Sequence, residues 1–302
     1  MGLLRDIQTE IEKRSLSGGG WSSGNRGPAA IETTSYALMA LADDQEPVRR
    51  KAIDALLRTQ NPDGSWPAFE GDDQEGCWTT SLVLIALRSS GFSVRRTERA
   101  EEWLLDNKGR ESHWFWKWKF RTVDRAVQFN PDKYGWPWVP GTVSWVIPTA
   151  FALVALKQSL PCCRTQPAFK RIQIGTEMLS DRACPGGGWN AGNGVVFGDA
   201  LKPHIDATSI ALLGLAEGSE QPSANEGLNW LRRNYGECSS TYSLAWSAIA
   251  LLMLRDHTAE ICVDRLCRVL SERSTLNIEA LSLSAIAIKA AEGNANPFQV
   301  MI

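Results

Sequence analysis

The chain has 302 residues, a formal net charge of −2 and 43% hydrophobic side chains, enough apolar matter for a large core in one repeat-built domain. The near-balanced charge excludes the basic stripe of a nucleic-acid binder, and no apolar run reaches the roughly 18 residues of a membrane-spanning helix. Thirteen Trp against four Tyr is the unusual count, because every indole brings a large apolar face and one N–H that needs an acceptor.

Seven cysteines, Cys77, Cys162, Cys163, Cys184, Cys238, Cys262 and Cys267, include no Cys-x-x-Cys pair. That speaks against a disulfide framework and against a zinc ribbon. The start, Met1 to Asp6, acquires charge at once and has no signal-peptide apolar core. A cytoplasmic protein is the expectation, with peripheral membrane contact left open.

In chain order, Asp6 to Leu16 mixes charged and apolar residues at helical spacing, as in a half-exposed helix. Gly18-Gly19-Gly20-Trp21 then supplies a left-handed turn, and Glu32 to Leu41 follows as a small, apolar helix buried on every side. The second copy is the cleanest. Lys51 to Thr59 is its outer helix, Pro62-Asp63-Gly64-Ser65-Trp66 its turn and Thr79 to Leu87 its inner helix.

The third copy runs from Ala100–Leu105 to Pro148–Leu156, interrupted by a long aromatic and basic insertion at about residues 109–145. The fourth runs from Arg171–Leu179 through Gly186-Gly187-Gly188-Trp189 to Ala207–Leu215. The last two, Gly227–Arg232 with Leu244–Leu251 and Val263–Leu270 with Leu281–Ile288, lack the Gly-Trp turn. Six helical hairpins of roughly 45–60 residues each fall in the range of helical repeats.

An open solenoid needs polar caps at its ends. Here the first and last inner helices are as apolar as the middle ones, so they are expected to meet. The predicted fold is all-α, a closed (α/α)6 barrel spanning residues 1–302 as one domain, with the inner helices around its axis.

The run Gln60-Asn61-Pro62-Asp63-Gly64-Ser65-Trp66 resembles the Gln–Trp repeat of squalene-hopene and oxidosqualene cyclases, and Gly18–Trp21, Gly135–Trp136 and Gly186–Trp189 resemble its Gly-Trp part. The resemblance covers nearly the whole chain. It implies the α/α-barrel shared by terpenoid cyclases and protein prenyltransferase β subunits. The triterpene cyclases hold their cavity between two barrels, whereas this chain can make one.

Their acid motif, Asp-x-Asp-Asp-Thr, corresponds to His204-Ile205-Asp206-Ala207-Thr208, where only the middle Asp and the Thr are kept. The middle Asp is the one that protonates the substrate, so the resemblance implies Asp206 as the acid. The Asp-x-Cys pair and His that hold zinc in the prenyltransferases have no counterpart here, so neither metal nor cofactor is expected.

Aligning the inner helices on their Thr-Ser/Ala step gives six equivalent positions: Glu32, Trp78, Ile147, Asp206, Tyr242 and Glu279. In a closed barrel they ring one mouth, with Glu32 and Glu279 facing each other. A carboxylic acid there can protonate an alkene or epoxide, His204 is the natural partner of Asp206, and Trp78, Trp145, Trp246 and Tyr242 offer faces for a carbocation. Carboxylates at helix starts also suit the helix dipole and cap free N–H groups.

The insertion His113-Trp114-Phe115-Trp116-Lys117-Trp118-Lys119-Phe120-Arg121 alternates aromatic and basic residues. It is read as a ribbon with one apolar and one basic edge. Trp116, Lys117, Lys119 and Arg121 are its candidates for a lid, a diphosphate clamp or a membrane contact, against solvated cations bracing a loop. Asp72-Asp73 with Glu75 is a weak hard-cation candidate.

The sequence therefore points to a protein similar to class II terpenoid cyclases, protonating and cyclising an isoprenoid or related apolar substrate. The alternatives are a non-catalytic isoprenoid-binding barrel and a subunit that needs a partner chain or a second copy of itself.

Overall fold

The computed structural model describes residues 2–24, 26–72, 74–92, 97–124, 128–160, 165–217, 221–273 and 275–300. Cys162, Cys163 and Asp73 lie outside them. Five further cysteines are free thiols.

Among the described residues, six outer helices alternate along the chain with six inner ones. The outer set is α1 (Leu3–Lys13), α3 (Glu46–Arg58), α5 (Glu98–Asp106), α8 (Gln166–Asp181), α10 (Pro222–Asn234) and α12 (Ala259–Ser271). The inner set is α2 (Ile31–Ala40), α4 (Thr79–Ser89), α7 (Val146–Ser159), α9 (Ile205–Leu215), α11 (Thr241–Met253) and α13 (Ile278–Ala291). One more helix, α6 (Trp114–Thr122), and a short antiparallel pair, β1 (Val195–Val196) with β2 (Asp199–Ala200), lie between hairpin partners.

The division of labour follows composition. Outer helices bury one stripe, such as Ile7, Gln8 and Ile11 of α1 or Ala52, Ala55 and Leu56 of α3. Inner helices are buried nearly all round. Their small serines fit because the hydroxyls of Ser35, Ser209, Ser247 and Ser284 each donate to a carbonyl one turn earlier. Starts are set locally: Pro stands in the first turn of α3, α8 and α10, while Thr165, Ser240 and Asn277 cap α8, α11 and α13 through their side chains.

The Gly-Trp turn joins four of the outer helices, α1, α3, α5 and α8, to their inner partners by the same two bonds. The indole N–H of Trp21, Trp66, Trp136 and Trp189 donates to the carbonyl of Ile11, Leu56, Leu104 and Leu179, at 2.7, 2.6, 2.8 and 2.7 Å. The backbone N–H of the same tryptophans donates to the hydroxyl of Thr34, Thr80, Thr149 and Thr208, at 3.0, 3.0, 2.9 and 2.9 Å. All four rings are fully buried.

Glycine is required beside them. Gly64 has φ +93°, and a Cβ there would stand 2.6 Å from Arg99 Cβ. Gly187 has φ +97°, and a Cβ would stand 2.6 Å from the Glu226 carbonyl oxygen. The turn thus lies directly on the backbone of the next outer helix.

The chain divides into two compact units, Met1–Ala100 with Ser239–Pro297, and Glu101–Cys238 with Phe298–Ile302. In the first, inner helices pack in the order α4, α2, α13, α11, so the first and last inner helices of the chain are neighbours. Lys289 of α13 fixes that junction, donating to the carbonyls of Met39 (3.3 Å) and Leu41 (2.9 Å) at the end of α2. In the second unit α7 packs on α9. There the buried Lys157 donates to Gly214 (2.9 Å) and Ala216 (2.6 Å) in the same way.

Candidate active site

In the first unit, Glu32, Tyr242 and Glu279 are each the second residue of their inner helices, and Trp78 immediately precedes α4. All four are half-buried. Helical spacing then stacks a second layer: Tyr36 lies one turn after Glu32, and Trp246 one turn after Tyr242. The Trp246 ring meets Tyr36 edge-on at 5.7 Å and Tyr242 at 6.3 Å. Trp246 and Tyr36 are fully buried, so they form the floor of this corner and Tyr242 its rim.

Glu32 and Glu279 come together across the α2–α13 junction. Thr33, next to Glu32, donates its hydroxyl to Glu279 Oε1 at 2.5 Å. Neither carboxylate caps its helix: the side chain of Asn277 caps α13, and the residue before α2 is Ala30. Tyr36 Oη, Glu279 Oε2, Thr241 Oγ1 and Ser282 Oγ are buried polar atoms of this unit with no partner in hydrogen-bonding geometry among the described residues. Orphan groups are rare in folded interiors and call for a water or a ligand.

The electrostatics follow. Burial pushes the Glu32 carboxyl up to about 7, the nearby Glu279 charge adds to the rise, and the Tyr36 hydroxyl opposes it. That hydroxyl acts at a longer range or a poorer angle than a full hydrogen bond, since Tyr36 Oη has no partner in bonding geometry. Burial, then the Glu32 charge and Tyr242, push the Tyr36 phenol well above its usual range.

In the second unit, Ile147 and Asp206 are the second residues of α7 and α9, both half-buried. His204 stands just before α9 in extended conformation, exposed, making no side-chain cap bond. Its backbone N–H donates to the Trp189 carbonyl at 2.8 Å, which ties the approach to Asp206 to the Gly-Trp turn. Trp145, the residue before α7, shares with His204, Leu201 and Lys202 a groove of about 430 Å³ beside the β1–β2 hairpin.

The segment 114–122 is a helix, not the ribbon read from its alternation. His113 caps its start, accepting from Phe115 N at 3.3 Å. Trp116 and Phe120, four apart, turn inward with Phe120 on Phe129 (5.0 Å). An alternating pattern without a partner strand has no ladder bonds to gain, whereas a helix satisfies its own backbone and pairs rings at i, i+4. Trp114 and Trp118 are left exposed, at 73% and 54%.

The expected basic edge is therefore distributed. Lys117 pairs with Asp132 at 3.1 Å and Arg121 with the same carboxylate. Lys119 and Arg110 lie over the Trp116 ring, each 4.8 Å from its centre. Asp72 and Glu75 are exposed. Among the described residues no group of His, Cys, Asp or Glu is gathered as for a metal, and no helix is long and apolar enough to cross a membrane.

Tyr36 and Thr33 are functional candidates that the register alone misses. The signal was present: a tyrosine one turn after an acid, in a helix otherwise built of small and aliphatic residues.

Neither family models nor curated proteins give a match to the sequence. Solved structures do. A variant of the type II terpene cyclase MstE from Scytonema, in complex with merosterolic acid A, superposes over 96% of both chains with a TM-score of 0.63 and 13% identity. A second variant, in complex with geranylgeranyl dihydroxybenzoate, gives 0.53 over 97% of this chain and 79% of that one, at 17% identity. Salmonella alpha-2-macroglobulin reacted with methylamine gives 0.56 over 97% of this chain and 18% of its own, at 13% identity. The fold is terpenoid-cyclase-like, the α/α-barrel class expected from the repeat. It occurs in proteins of quite different name, so chemistry has to be argued from the side chains.

Proposed function

We propose that this chain is a terpene-cyclase-like enzyme that starts cyclisation by protonating an isoprenoid or related apolar substrate. The observation that carries the reading is the placement of carboxylates at one repeated position, the second residue of inner helices α2, α9 and α13, on a fold shared end to end with a type II terpene cyclase. An alkene is a weak base, so its protonation needs a carboxylic acid that is still protonated near neutral pH and sits away from bulk water. The cation formed needs electron-rich faces and no competing nucleophile, which aromatic side chains supply.

Asp206 is the acid that the resemblance nominates, and Glu32 and Glu279 are its register equivalents. Helix α6, with Trp114, Phe115 and Trp118 outward, suits contact with the lipid surface from which such a substrate is drawn.

The test is incubation with linear isoprenoids of increasing length, free and as diphosphates, followed by mass spectrometry. A cyclic product from the wild type, lost in the Glu32→Gln/Asp206→Asn/Glu279→Gln triple variant, supports the reading. The segment His204 to Thr208 keeps only part of the cyclase acid motif. That favours a second reading, a barrel that binds isoprenoids without turnover or completes its site with a partner chain. Saturable binding with no product in any arm would select it.

A further inference from the structure

The three carboxylates are not equivalent. Asp206 stands beside an exposed histidine at the start of α9. Glu32 has a second carboxylate across the α2–α13 junction, a fully buried tyrosine one turn below it, and a floor of Tyr36 and Trp246 edged by Tyr242. We propose that Glu32 holds the initiating proton, with Glu279 as its partner carboxylate, and that this corner receives the electron-rich end, an alkene or epoxide, of an apolar chain. This rests on the acid-initiated reading above and narrows it to one side chain.

The two glutamates have distinct roles because their surroundings differ. Glu279 accepts the short hydrogen bond from Thr33, which holds its carboxylate at the α2–α13 junction. Two carboxylates in one half-buried site cannot both ionise cheaply, and burial of Glu32 favours its protonated form. The upward shift of the Glu32 carboxyl to about 7 agrees with this. The titratable groups around it are Tyr36 on its own helix, Glu279 on α13, Tyr242 on α11 and Cys77 before α4.

In the reaction, the π pair of the terminal alkene forms a new C–H bond with the Glu32 proton. The O–H bond breaks and leaves its electrons on the Glu32 carboxylate. The resulting cation, over the aromatic rings, is attacked by the π pair of the next alkene to form a C–C bond. Loss of a proton from carbon next to the last cation restores neutrality, and the proton can return to the Glu32 carboxylate. No oxidant or reductant is consumed.

The experiment compares wild type, Glu32→Gln and Glu279→Gln in the product assay across pH 5–9, with folding checked by circular dichroism. Gln reproduces the shape and neutrality of protonated Glu32, so the first variant is expected to fold and to lose product formation about 100-fold or more. Wild-type turnover is expected to fall about tenfold per pH unit above about pH 7. Glu279→Gln removes a repelling charge, so that fall moves to lower pH, a shift that a purely structural role for the pair does not produce.

A folded Glu32→Gln protein with undiminished turnover overturns the assignment while leaving the cyclase reading intact. An unmoved pH limb in Glu279→Gln also overturns it. Absence of product from the wild type fails the cyclase reading itself.

Discussion

The Gly-Trp turns and the first turns of the inner helices are joined by the same Trp N–H to Thr hydroxyl bond, yet they vary in opposite ways. At the turns, four tryptophans make the same two hydrogen bonds to the same structural partners. At the helix ends, one backbone position carries Glu32, Trp78, Ile147, Asp206, Tyr242 and Glu279 in turn. The backbone demands little of a residue at the start of a helix, because its N–H has no intrahelical partner. The turn is therefore where the array is held together, and the helix end is where side chains are free to differ. A repeat protein of this kind concentrates chemistry where its copies disagree.

That contrast can be broken most forcefully at the turns. Trp66→Ala empties a fully buried ring site and removes the indole N–H from the Leu56 carbonyl, which keeps only the Thr59 hydroxyl as a side-chain donor. A loss of about 3–5 kcal/mol is expected in denaturant unfolding, large enough to reduce the folded fraction at physiological temperature. A comparable loss in Trp189→Ala would show that the copies are energetically alike. An effect under about 1 kcal/mol would show that the turn is decoration.

The next effect belongs to the helix ends. The Glu32 carboxyl is shifted upward, from 4.5 to about 7, so the folded state binds the extra proton between those values. Its contribution to stability is complete below about pH 4.5 and is lost as pH rises through about 7. The difference is about 3 kcal/mol at most, from about 1.4 kcal/mol per pKa unit. Melting curves from pH 5 to 8 should fall more steeply for the wild type than for Glu32→Gln, with the variant the more stable above pH 7.

A smaller change sharpens the comparison within the turn itself. Thr208→Val keeps shape but removes the acceptor for Trp189 N–H, at 2.9 Å. Leaving that buried donor unpaired is expected to cost about 1–3 kcal/mol by the same unfolding measurement. Least of all, Trp114→Ala with Trp118→Ala on α6 should leave the melting temperature unchanged, since both rings are exposed. Co-sedimentation with vesicles carrying anionic lipid should fall if α6 rests on a lipid surface.

Much of this was legible in the sequence. Gly-Trp spacing gave the hairpins, and the Thr-Ser/Ala step aligned the inner helices to the residue, because burial and close packing leave those positions little choice of side chain. The meeting of the first and last inner helices followed from their lack of a polar face. Helix α6 was misread, since alternation of large aromatics and cations satisfies a period of two while Trp116 and Phe120 pair at four, and only the Phe129 contact decides between them. The β1–β2 hairpin, with Phe197 exposed at a left-handed backbone angle, gave too short an apolar pattern to find. The Thr33 bond to Glu279 and the burial of Tyr36 one turn below Glu32 depended on packing across α2 and α13, information that no single helix contains.

Lys157 spends its ammonium on the last carbonyls of α9 and is 2% exposed. An acylating reagent in the surrounding buffer meets the surface lysines at once, but reaches this amine only when α7 and α9 part. Its labelling half-life, followed by peptide mass mapping, is therefore a clock for breathing of that helix pair, readable in the native protein without denaturant and without any substrate.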